Sequence, residues 1–185
     1  MQQALVILLD NARRTLGARP ARVDPRDVAT LEAELGRPLP LSLKFVWQAW
    51  GAGDVGRIHL SGPREISAGL ALSDRFLDEA LLPFASGPDG EAWGLRLDAS
   101  EDPPVVLALD FPRKLRAVLG PLSRAVEVAV LEALAEHRGT DAGERVRLFR
   151  KLERLDADQR YRAPTRWAEA PPIRGAAAAG APRSA

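Results

Sequence analysis

Residues Gly51 to Gly56 read GAGDVG, a G-x-G-x-x-G pattern. In dinucleotide-binding folds such glycines let the backbone close on a pyrophosphate at the N-terminus of the following helix. That chemistry requires a strand before the glycines and a helix after them. Here Leu43, Val46, Trp47 and Trp50 fall at i, i+3, i+4 and i+7, one apolar stripe of a helix that ends at Gly51. RIHL (Arg57 to Leu60) after it reads as a short strand. The order is reversed, and the helix offers the glycines its carbonyl end, which repels phosphate. A helix-to-strand turn is the reading, and no nucleotide or other cofactor is expected.

Few other residue types are available for catalysis. The absence of cysteine excludes disulfides, thiolate metal sites and a cysteine nucleophile. His59 and His137 are the only histidines, too few for a multi-histidine metal centre. His59 lies in an alternating strand with no partner close in sequence, which reads as a surface or core-edge position. His137 falls in the last turn of a helix, where a cation complements the dipole. Asp89, Glu91, Asp98, Glu101, Asp102 and Asp110 are mostly in turns, where a carboxylate bonds nearby backbone; the second reading is an acidic face for a partner. Trp47, Trp50 and Trp93 read as core, although Trp50 and Trp93 adjoin turns, where tryptophan can anchor an interface. No P-loop, zinc spacing or Ser/His/Asp motif is present, so no catalytic residue and no metal ligand is assigned.

Charge is nearly balanced overall, at +1, but unevenly placed. From Asp74 to Asp110, nine acidic residues face two arginines, a net of −7; from Glu144 to Ala185, ten basic residues face five acidic, a net of +5. The basic residues of the last helix are interleaved with Glu153, Asp156 and Asp158, as on a solvated face, so nucleic acid is not expected as a partner. The N-terminal apolar run, Ala4 to Leu9, has no basic residue before it and is broken by Asp10. It is shorter than the roughly 7–15 residues of a secretory segment and the roughly 20 of a membrane span. A cytoplasmic protein with no membrane contact is expected.

The 185 residues, 46% of them hydrophobic, suit one domain with an appendage. Leu5 to Leu16 carries a helical stripe. Asp24 and Pro25 open a second helix that Gly36 closes, and Pro40 opens a third. LLPFAS, AWGLRLD and VVLALD read as strands separated by the turn-rich runs GPDGEA and ASEDPP. Short links between strands imply antiparallel neighbours. Pro121 to His137 is apolar around much of its circumference, a well-buried helix. In a last helix, Glu144 to Leu155, Leu148, Phe149, Leu152 and Leu155 are expected to face inward. Helices, a meander, then helices make an α+β domain over 1–160. Residues 161–185, rich in Ala, Pro and Gly, read as a disordered tail with Trp167 its one anchor.

The run DVATLEAELGRPLPLSLKFVWQAWGAG resembles the opening signature of the SUKH superfamily, which includes fungal Smi/Knr-type cell-wall-synthesis regulators and bacterial toxin-immunity proteins. Leu31, Glu32, Leu35, Gly36, Leu39, Pro40, Phe45 and Gly51 carry the likeness. In LLPFASGPDGEAWGLRLDAS, the residues Pro83, Phe84, Gly90, Trp93, Leu97 and Asp98 carry its second element. The family's turn has Asn where Trp50 or Gly51 stands here. The resemblance implies N-terminal helices packed on a curved antiparallel sheet. It also implies a non-enzymatic, protein-binding role, as an immunity protein of a polymorphic toxin system or as a regulatory scaffold for a peptide or signalling partner. With the acidic segment, it makes Trp50, Asp54, Asp89, Glu91, Trp93, Asp98 and Asp110 the partner-contact candidates, the partner being a toxin domain such as a nuclease. A small hydrolase or nucleotide-binding enzyme is the third reading.

Overall fold

The computed structural model describes residues 2–72, 81–87, 91–97, 101–109 and 114–159. Asp89, Asp98, Asp110 and the 161–185 tail with Trp167 lie outside the described residues. The first three helices are α1 (Gln2–Thr15), α2 (Pro25–Leu35) and α3 (Leu41–Ala49). Leu5, Leu9 and Ala12 form the buried stripe of α1. Asp24 caps α2, its carboxylate accepting the Arg26 N–H at 2.8 Å, with Pro25 in the first turn and Gly36 closing the other end at φ 63°.

The LE..LG..LP run is a built corner. Glu32 Oε1 accepts the Leu39 N–H at 2.7 Å and the Lys44 ammonium at 3.0 Å. One carboxylate thereby ties α2, the Leu-Pro turn and α3 together. Partial burial works to raise the Glu32 pKa, but the Leu39 N–H and Lys44 together outweigh it and hold it below the usual 4.5. Leu31, Leu39, Leu43 and Val46 fill the space beneath.

Next come β1 (Gly53–Val55), β2 (Ile58–Leu60), α4 (Pro63–Leu72), β3 (Leu81–Ser86), β4 (Ala92–Arg96), β5 (Pro104–Leu109) and β6 (Lys114–Pro121). The strands form one curled, half-barrel sheet in the order β1-β2-β3-β4-β5-β6, every neighbour antiparallel. The fold is α+β, a meander sequential in strand order, interrupted by α4 between β2 and β3 and flanked by helices at both ends. The glycine run is more than a turn, because its second half is itself the edge strand β1. Helix α4 leans on α2 through Arg64 to Asp27 at 2.8 Å and the Ser67 hydroxyl donating to Glu34 at 2.6 Å.

Two glycines of the fingerprint have steric duties. The chain after α1 crosses the end of α3, where Ala21 and Ala52 exchange both backbone hydrogen bonds, at 2.8 and 2.9 Å. Gly51, at φ 113°, lies so close to this crossing that a Cβ would meet the Ala21 carbonyl oxygen at 2.4 Å. Gly56, at φ 59° in the two-residue β1–β2 turn, would put a Cβ 2.7 Å from Ala133 Cβ.

The last helices are α5 (Leu122–Glu136) and α6 (Ala142–Gln159). Asp102 receives the backbone N–H of Ser123 at 3.0 Å and also its hydroxyl. A carboxylate there complements the N-terminal end of α5. Leu148, Leu152 and Leu155 pack α6 on Val128 and Leu131 of α5. Phe149, expected inward, is 48% exposed beside the equally exposed Val146. It stands one residue, about 100° of helical turn, beyond the buried stripe, which already covers the available part of α5.

Gly51→Ala is expected to lower stability by at least about 1–3 kcal/mol, the usual cost of a strained backbone position. Gly69→Ala, in a helix with nothing within 4 Å of the added Cβ, should stabilise by up to about 1 kcal/mol. Urea unfolding of both variants checks the pair; equal effects would remove the steric explanation.

Candidate functional site

Strand register decides which side chains share a surface. Asp54 pairs with His59, His59 with Ser86 and Ser86 with Ala92. Directly paired residues project from the same face of a sheet. The neighbouring row, Leu60, Ala85 and Trp93, is buried. Asp54 and Ser86 are exposed and His59 is half-buried, so the first row faces outward.

His59 sits between two carboxylates. Its Nδ1 faces Asp54 Oδ1 at 2.7 Å, and its Nε2 lies 3.5 Å from Glu65 Oε2. Glu65, in the first turn of α4, is held by the Gly62 N–H at 2.7 Å. The Asp54 hydrogen bond is the chief reason the His59 pKa rises above its ordinary 6.5; partial burial opposes it, and Glu65 and the Asp54 charge add to the rise. Ser, His and Asp thus stand in one row, but Nε2 is turned to Glu65. A ring flanked by carboxylates on both sides is stabilised as a cation, and the nitrogen not facing Asp54 is directed at Glu65. Chemically the cluster is a charged, hydrogen-bonding surface patch.

The other candidates fall in different places. Trp50 and Trp93 are only 2% and 4% exposed, which corrects their placement among partner contacts: both are core residues. Trp93 meets Phe84 edge-to-face, with ring centroids 6.5 Å apart. Trp50 points its ring into the same core, with its buried Nε1–H lacking an acceptor among the described residues, a state that costs roughly 1–3 kcal/mol. Asp54, with 81% of its side chain accessible, does face solvent. Glu91 is half-buried and its carbonyl accepts the Gly87 N–H at 2.9 Å, closing the β3–β4 link. Glu101 is exposed, whereas Asp102 is committed to α5. His137 uses its carbonyl, which accepts from the Thr140 N–H at 3.1 Å.

The Asp54–His59 pair was readable in principle. A two-residue turn at Gly56-Arg57 places positions 54 and 59 opposite each other. Glu65 was not, because it arrives from a separate helix. Among the described residues, no group of three or more acidic or histidine side chains is arranged to hold a metal ion. Among the same residues, no helix is long and apolar enough to cross a membrane. In comparisons with known proteins, the chain matches no family model, no curated protein and no solved structure.

A pKa raised on folding carries a definite sign. The protonated His59 ring stabilises the fold fully below pH 6.5, and the contribution is lost as pH rises through the higher folded value. An NMR titration of His59 should therefore have its midpoint above 6.5, and Asp54→Asn should bring it down. The gap in melting temperature between the parent and Asp54→Asn should narrow as pH rises above that midpoint. A parent midpoint at or below 6.5 would contradict the arrangement.

Proposed function

We infer that the chain is a SUKH-like, non-catalytic protein-binding domain that neutralises a cognate intracellular toxin by covering it. The observation that carries this reading is the outward row of the sheet, where Asp54 and Ser86 are exposed beside His59, with Glu65 at its rim. An antiparallel meander backed by helices presents such a row as a broad surface. The residues of the LE..LG..LP resemblance also support the family reading, since Leu31, Glu32, Gly36 and Leu39 together form the corner between α2 and α3.

In sequence, the segment from Asp74 to Asp110 carries an acidic excess, and Asp54 and Glu65 bring the same sign to the outward row. A surface of that sign attracts a basic partner, such as the substrate cleft of a nuclease, and accelerates encounter by steering. Masking of this kind needs no reaction centre in the inhibitor. Its specificity comes from where carboxylates meet arginines and lysines.

Co-expression with the product of the adjacent gene, scored for rescue of growth and co-purification, tests this function. A stable complex is expected, and Asp54→Lys with Glu91→Lys should weaken it about tenfold, the equivalent of roughly 1.4 kcal/mol. An absence of rescue, or an affinity unmoved by both reversals, would overturn it.

A further inference from the structure

On the side of the molecule where the chain crosses the end of α3, an open cleft of about 520 Å³ has Arg13, Arg19 and Arg22 on its walls and no carboxylate. Arg13 makes only a long 3.4 Å contact with Asp10. Arg19 and Arg22 are exposed and have no ion pair among the described residues. Arg19 and Arg22 thus add two guanidinium groups without counter-charges beside Arg13, and like charges so placed repel one another, which a bound anion relieves.

The two free arginines are held in place. They flank Pro20-Ala21, and Ala21 is fixed to Ala52 by two backbone hydrogen bonds. Pro20 adds a locked φ. Gly51 lines the cleft without a side chain, and Trp50, whose indole N–H has no acceptor among the described residues, lines it too. The first glycine of the fingerprint thus adjoins an anion-attracting surface by another route: it leaves space beside arginines and offers no helix N-terminus. The C-terminal carbonyls of α3 oppose an anion here, so the arginines must supply the attraction.

We propose that this cleft binds a phosphate monoester, its phosphate held by Arg19 and Arg22 with Arg13 and its organic part in the remaining volume. The planar forks of arginine match phosphate oxygens two at a time. The volume falls in the range of roughly 300–1,000 Å³ that small-molecule sites occupy, larger than inorganic phosphate requires. This proposal is independent of the protein-binding role of the sheet face.

Titration of the full chain with AMP and, separately, with inorganic phosphate, followed by ¹H–¹⁵N NMR, tests it. Saturable shifts of the Trp50 indole N–H and the Gly51 amide are expected with AMP, with at least tenfold weaker binding of phosphate alone. Arg19→Gln with Arg22→Gln should remove the AMP shifts while leaving the thermal melt unchanged. Arg150→Gln, on the exposed side of α6, should retain them. If the double variant melts early, Arg13→Gln alone takes its place and should weaken AMP binding several-fold. Equal affinity for the two probes would overturn the monoester assignment in favour of free phosphate. The site itself is overturned by the absence of saturable shifts, or by equal losses in Arg150→Gln and the arginine variants.

Discussion

Helix α5 must be kept from water on nearly every side, and the other layers are arranged around that requirement. Ten of its fifteen residues are buried, from Leu122 to Ala135. A helix apolar around most of its circumference cannot rest at a surface. It packs against α1 and α3, against α6, and against β1, β5 and β6. Each fully buried leucine or valine contributes on the order of 1.5–3 kcal/mol, so Leu122, Val126, Val130 and Leu131 dominate this part of the core. The alanines have a different role. Ala133 is small enough for the β1–β2 turn to touch it at Gly56, and Arg57 meets Glu136 at 2.8 Å beside that contact. The outward row of Asp54 and His59 is therefore seated on the helix through the hairpin that carries it.

The glycine run shows how one pattern serves different physics in different contexts. After a strand and before a helix, its N–H groups would face a phosphate. After a helix, with another segment crossing it, the same spacing relieves crowding. Gly51 yields to the Ala21 carbonyl and Gly56 to Ala133. The nearby affinity for anions that we propose belongs to side chains, and to arginines held by a backbone bridge.

Much of the architecture was legible in the chain. The stripes of α1, α2 and α3, the Asp24 cap, and the strands LLPFAS and AWGLRLD announce themselves through spacing and capping chemistry. Less legible were short or context-dependent elements. The edge strand β1 has three residues, too few for alternation to show, and a two-residue turn sets their pairing with β2. Helix α4 begins at a proline and buries Ile66 alone among its described Ile, Leu and Ala side chains. Phe149 looks like core because apolar residues on a helix usually face inward; its neighbours on α6 had already filled the contact with α5. For the site, burial of Trp50 and Trp93 follows the apolar stripes that contain them, whereas Glu65 meets His59 only through tertiary packing.

Amide hydrogen exchange on the isolated chain measures the central constraint most directly. Backbone amides of α5, Leu122 to Glu136, should be among the slowest in the molecule, exchanging only through global unfolding, with those of α6 opening more readily. Exchange in α5 as fast as in α6 would contradict a molecule assembled around a buried helix.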